Sequence, residues 1–98
     1  MKVYYLPEVV KVFKTLNGSD QAKVDRTREF FEKYAFQIRP KYIKKVTTSG
    51  IWELRAGKIR LFLYIANKKA VGVHIIYKKT NKLPIKDIRL AERRSKEL

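Results

Sequence analysis

The segment Ile51-Trp52-Glu53-Leu54-Arg55-Ala56-Gly57-Lys58-Ile59-Arg60-Leu61-Phe62-Leu63-Tyr64 leaves this chain little choice of local structure. Two apolar runs flank Gly57-Lys58, and a two-residue loop with glycine first predicts a β-hairpin. In that register Ala56 faces Ile59, Arg55 faces Arg60, Leu54 faces Leu61 and Trp52 faces Leu63. Alternation sends Trp52, Leu54, Leu61 and Leu63 to one side, assigned to a helix-covered core. Ile51, Glu53, Arg55, Arg60, Phe62 and Tyr64 share the other side. Two arginines directly opposed repel each other without a counterion. Such a pair is tolerable where it awaits a phosphate, and Glu53 is read as neutralising a nearby arginine.

The flanking sequence supplies helices and further strands. Lys2 to Leu6 reads as a short strand, and Pro7 suits the first position of a helix with Glu8 at its positive end. Val9, Val10, Phe13 and Leu16 recur at helical spacing. Asn17-Gly18 stops that helix, and Ser19 or Asp20 is expected to cap the next. Phe30, Phe31, Tyr34, Ala35 and Ile38 form the second helix's apolar stripe, with Pro40 beyond its end. So short a break implies an antiparallel helical hairpin. Residues 42–48 are strand or extended link. Asn67-Lys68-Lys69 is a turn, and Ala70 to Tyr77 the last strand, with its register open. A two-residue loop would bring Ile75 and Tyr77 to the arginine side; a three-residue loop would bring His74, Ile76 and Lys78. Pro84 starts a terminal helix with Ile85, Ile88 and Ala91 inward.

Charge narrows the function. The 98 residues suit one domain spanning 1–98, with a formal net charge of +15. Residues 1–40 carry eight Lys/Arg against five Asp/Glu, and residues 41–98 carry sixteen against four. An anion-binding surface is therefore expected mainly from the second half. Nucleic acid, an acidic protein or an anionic membrane are the partners such a charge implies. No apolar run approaches the length of a membrane helix, and the N-terminus is too polar for a signal peptide. The expectation is a soluble cytoplasmic protein. With no cysteine, disulfides, zinc-thiolate sites and a Cys nucleophile are excluded. One histidine and few scattered acids give no metal cluster, so neither a metal nor another cofactor is expected.

Cation-based phosphoryl chemistry is what these residues best fit. RNA brings its own nucleophile, the 2′-hydroxyl. An enzyme needs to align it, stabilise charge on the phosphorane and manage two protons. The planar fork of Arg matches phosphate oxygens, and Tyr, Lys or His can move protons. The candidates are Arg55, Arg60, Lys78, Tyr77 and His74 for catalysis, with Lys58, Lys79 and Lys82 for RNA binding. Each has a plainer reading beside it. Arg55 and Arg60 would blunt an exposed sheet, and Lys78-Lys79 would solubilise a strand end. His74, between Val73 and Ile75, would be a packed structural residue. Tyr64 and Tyr77 would be core residues with a wet hydroxyl.

Two paired motifs carry a resemblance: Ile51-Trp52-Glu53-Leu54-Arg55 with Arg60 and the apolar strand through Tyr64, then His74-Ile75-Ile76-Tyr77-Lys78-Lys79-Thr80 with Pro84 and Ala91. With the early Tyr4-Tyr5-Leu6-Pro7-Glu8, the chain resembles the phage-derived, HigB-like branch of the RelE/ParE toxin superfamily of type II toxin–antitoxin systems. It departs from that pattern at Ile76, where members usually carry Phe. The resemblance implies an α+β, RelE-like fold: a helical hairpin packed on a small antiparallel β-sheet, with a C-terminal helix. It implies an mRNA interferase, an endoribonuclease acting on mRNA at the ribosome. It further implies a cognate HigA-like helix-turn-helix antitoxin, in a complex that can be of higher order. On that analogy Arg55 and Arg60 stabilise the scissile phosphate, Lys78 and Lys79 bind RNA or assist the phosphate, and Tyr77 or His74 handles protons. An acidic antitoxin segment would cover the arginine face or hold the terminal helix out of place. Two other readings stand beside it: a ParE-type DNA gyrase inhibitor, and a non-catalytic RNA- or ribosome-binding module.

Overall fold

The hairpin forms in the expected register. In the computed structural model, which describes residues 1–80, Lys82 and 84–98, strands β3 (Ile51–Ala56) and β4 (Ile59–Ala66) pair with Arg55 opposite Arg60 and Leu54 opposite Leu61. Gly57 takes φ +61°, the left-handed conformation that favours glycine at this turn. The other elements are β1 (Val3–Tyr5), α1 (Pro7–Thr15), α2 (Gly18–Tyr34), a 3₁₀ turn (Ala35–Gln37), β2 (Ile43–Lys45), β5 (Lys69–Tyr77) and α3 (Ile85–Lys96). They build one five-stranded sheet in the order β1-β5-β4-β3-β2. Its pairings are antiparallel except β1 with β5, so the sheet is mixed.

Helices cover both faces of the sheet. On one, α1 packs against β5 and β1, and α2 against β3 and β4. Leu54, Ile59, Leu61, Leu63, Ala70 and Ile75 meet Val9, Val24 and Phe31 there in the main core. On the other, α3 lies over β4 and β5. Ile51, Phe62, Val73 and Ala91 form a second, smaller core beneath it, with Ile88 packed at its edge. The arginine side of the hairpin is therefore roofed in part by α3.

Several local expectations change. Asn17, not Ser19 or Asp20, caps α2: its Oδ1 accepts the Asp20 N–H at 2.8 Å. The inward stripe of α2 is Val24, Thr27 and Phe31, whereas Phe30 and Tyr34 are 51% and 44% exposed. The helix ends at Tyr34, because Ala35 turns to φ +50° and starts the 3₁₀ turn. Ile85 lies outward, 65% exposed, so Ile88 and Ala91 carry the packing of α3.

The last strand reconciles both expected registers. The loop has two residues, Asn67 and Lys68, both at positive φ as a type I′ turn requires. Yet His74 and Ile76 face the arginine side, opposite Phe62 and Arg60. A β-bulge explains this. Leu63 pairs with Gly72 but Phe62 with His74, so Val73 is an extra residue that shifts the alternation by one.

Gly72 is needed for its missing side chain. A Cβ there would lie 2.7 Å from Tyr5 Cδ1 and 3.3 Å from Leu61 Cδ1. The Tyr5 ring fills that space, and burial pushes its phenol pKa up to about 12. Gly72→Ala is expected to destabilise the fold by about 1–3 kcal/mol through overpacking, read as a lower urea midpoint with unchanged m.

A cationic groove as candidate active site

The ends of three strands converge beside the Gly57-Lys58 turn. Beyond the sheet register, Lys78 N–H donates to Lys58 O at 2.7 Å, so the end of β5 stays fastened to the hairpin tip. This brings Lys58, Arg60, Lys78, Lys79 and Thr80 around a shallow groove of about 320 Å³. An adjoining basin of about 330 Å³ shares Lys78, Lys79 and Thr80 and adds Tyr77, Lys82 and Asp87. Among the described residues, Asp87 is the one acid lining either basin, and no carboxylate lies within ion-pair distance of the four lysines.

Arg60 is held as a fixed charge at this groove. Its Nη1 donates to Gly57 O at 2.6 Å and to Ile59 O at 3.1 Å. Its Nε is buried, has no hydrogen-bond partner among the described residues and stands 3.8 Å from Glu53 Oε1. Burial lowers its pKa below the ordinary guanidinium value, Glu53 opposes the shift, and Arg55 adds to it. A guanidinium still keeps its proton in such surroundings. Two backbone carbonyls thus aim the group before any anion arrives.

The opposed arginines have their counterion inside the protein. Glu53 is fully buried, and Arg55 Nε donates to its Oε1 at 2.5 Å. Same-strand spacing of two puts Glu53 and Arg55 on one face, and cross-strand pairing brings in Arg60. The consequence divides the two arginines. Arg55 is committed to Glu53 and does not line the groove; Arg60 does.

His74 also lies away from the groove, and its role is visible in its partners. Its ring stacks on Phe62 at 5.8 Å and 17°. Nε2 stands 2.7 Å from Asp87 Oδ1, while Nδ1 meets Arg94 Nη1 at 3.5 Å. Arg94 Nη1 also donates to Val73 O at 2.9 Å. Nε2 is within hydrogen-bond reach of the Asp87 carboxylate, to which an Nε2–H can donate. The imidazole therefore fastens α3 to the bulge, which matches its plainer reading, and holds Asp87 at the rim of the second basin. Tyr77 pairs with Ile59, so alternation sets it on the face opposite Arg60. It is 48% exposed at the strand end and reaches that second basin.

Of the eight residues singled out in the sequence, the structure brings together Arg60, Lys58, Lys78, Lys79, Lys82 and Tyr77, and leaves Arg55 and His74 behind them. Asp87 and Thr80 were missed as site residues. Asp87 signals itself only as an acid in the first turn after Pro84, which any helix start favours. Among the described residues, no three of His, Cys, Asp and Glu converge to hold a metal ion, and no helix is long and apolar enough to cross a membrane.

The family described as phage derived protein Gp49-like (DUF891) matches residues 11–96. No curated protein sequence matches the chain. Among solved structures, a chain of the archaeal RelE–RelB complex from Pyrococcus horikoshii OT3 superposes with a TM-score of 0.68 at 19% identity, covering 80% of this chain and 94% of that one. A chain of the RelB–RelE antitoxin–toxin complex from Methanococcus jannaschii gives 0.63 at 14%, over 83% and 99%. One from the toxin–antitoxin complex RelBE2 of Mycobacterium tuberculosis gives 0.64 at 15%, over 79% and 96%. The α+β, RelE-like fold is thereby shown.

Proposed function

The chain belongs to the phage-derived Gp49-like family, and on that footing we propose that it is the toxin of a type II toxin–antitoxin pair, a metal-independent endoribonuclease cleaving mRNA on the ribosome. The supporting observation is Arg60, tethered by two backbone carbonyls at a groove whose other cations, among the described residues, have no carboxylate within ion-pair distance. Preorganised positive charge of this kind serves an anionic transition state better than it serves ground-state binding.

In this reading the 2′-oxygen attacks the adjacent phosphorus and the bond to the 5′-oxygen breaks. One proton leaves the 2′-hydroxyl and one reaches the departing 5′-oxygen. Arg60 meets the charge on the phosphorane, while Lys58, Lys78, Lys79 and Lys82 hold flanking phosphates. Asp87 and Tyr77 are the carboxylate and phenol of the adjoining basin, and to them we assign the exchange of protons. His74 positions Asp87, and Arg55 acts through Glu53 on Arg60. The fold neighbours come from RelE–RelB and RelBE2 toxin–antitoxin complexes, which supports an antitoxin partner. We assign that partner to the HigA-like, helix-turn-helix type, encoded beside this chain, with an acidic segment that meets the cationic face.

Purified protein, stripped of metal with EDTA and dialysed, is expected to cut mRNA at discrete positions on translating ribosomes, seen by primer extension, while a ribosome-free control leaves the mRNA intact. Toxicity with intact mRNA would overturn the reading, and supercoiling inhibition under those conditions would select the gyrase-directed alternative.

A further inference from the structure

The hairpin tip is a thin wall with a second surface behind it. Arg60 Nη1 grips the carbonyl of Gly57 from the cationic groove. On the turn's other side, the space that a Gly57 Cβ would occupy lies 3.1 Å from Lys23 Cδ and 3.6 Å from Lys23 Nζ. Lys23, Gly57, Arg26, Thr27, Phe30 and Tyr42 line a basin of about 230 Å³ there. Phe30 and Tyr42 also line the next basin, of about 390 Å³, together with Tyr34, Ile38 and Arg39. Lys23, Lys58 and Arg60 thus carry positive charge over the tip from one groove to the next.

These basins combine rings and cations without an acid. Phe30 and Tyr42 are 51% and 37% exposed, and with Tyr34 at 44% they make a contiguous aromatic patch. Phe30 stacks with Tyr34 at 6.4 Å and 25°, and the Lys41 ammonium sits over the Tyr42 ring at 4.9 Å. Among the described residues, neither lining includes Asp or Glu. Phe30 and Tyr42 line both basins and form the wall the two share. Cations tracking a backbone beside aromatic faces are what single-stranded nucleic acid requires. An apolar helix from a protein partner would instead favour one uninterrupted trough.

We propose that this aromatic surface is a second RNA subsite, which stacks unpaired bases lying several nucleotides from the bond that is cut, the strand crossing the Gly57-Lys58 tip between the two. The inference rests on the reading of the cationic groove given above. It places substrate recognition on α2 and the segment leading into β2, outside the elements that carry Arg60 and Lys78.

A fully 2′-O-methylated 12-nucleotide RNA, which cannot supply the attacking hydroxyl, is the probe, with binding followed by fluorescence anisotropy across a salt series. Phe30→Ala and Tyr42→Ala, at exposed positions and checked for native circular dichroism, are each expected to weaken binding about 5- to 100-fold. Their salt dependence should match wild type, because stacking releases no counterions. Lys78→Ala, by contrast, should lower the slope by about 0.7. Wild-type affinity in both aromatic variants, with Lys78→Ala still weakened, overturns the subsite and spares the groove. If those variants then fail to co-purify with the adjacent antitoxin, the surface belongs to a protein partner. Absence of binding by wild type overturns both.

Discussion

Arg60→Ala is expected to cut mRNA cleavage by about 10²- to 10³-fold, the usual loss when one preorganised donor to an anionic transition state is removed. Growth on induced expression should recover in step. The structure gives two reasons for separating this effect from misfolding. Arg60 stands at a strand end beside a solvent-open groove, and its hydrogen bonds go to carbonyls of the turn. Glu53 keeps Arg55 as its counterion when Arg60 is gone. Arg60→Lys is expected to rescue little, because an ammonium cannot span two carbonyls and a phosphate with a planar fork. A folded Arg60→Ala protein with full activity, judged by circular dichroism and single-turnover cleavage together, would remove Arg60 from the chemistry.

Glu53→Gln should be the costliest single change to stability. Glu53 is fully buried and lies between two guanidinium groups that the sheet register forces to face each other. An amide leaves both charges uncompensated in a sparsely solvated layer under α3. Breaking a buried pair in this way typically costs about 3–5 kcal/mol. For a domain of this size, each kcal/mol lowers Tm by roughly 4–8 °C, so thermal melting detects the effect easily. The double variant Glu53→Gln/Arg55→Leu is expected to recover part of the loss, since it also removes one of the stranded charges. A Tm within a few degrees of wild type in Glu53→Gln would mean that the arginines find water or another partner instead.

How much of this was legible in the sequence depended on whether local rules decided the position. The β3–β4 register was, because Gly57 marks the turn and alternation does the rest. Glu53 was legible as a counterion for the same reason: residues two apart on a strand share a face. The end of β5 was not, since a bulge at Val73 follows from no residue type and inverts everything after it. Arg55 and Arg60 look equivalent in a hairpin diagram. Only the side-chain geometry, one bound to Glu53 and the other to Gly57 and Ile59, tells them apart. Helical spacing was misleading at Phe30 and Tyr34. Periodicity finds apolar residues whether they face a core or solvent, so by spacing alone the exposed aromatics of α2 look like packing residues. The antitoxin-directed expectations arose from resemblance, and neither charge nor spacing would have yielded them.

The bulge has a consequence for how such chains vary in length. With one supernumerary residue at Val73, β5 runs in two phases: Lys69 to Gly72 obey one parity, and His74 to Tyr77 the other. Losing Val73 would merge the two phases into one while leaving Gly72 opposite Leu63 and His74 opposite Phe62. The aim of everything beyond is therefore held by pairing with β4 and not by the length of the turn at Asn67-Lys68. The half of the strand that leads into Lys78 stays locked to the hairpin tip by the Lys78 N–H to Lys58 O hydrogen bond.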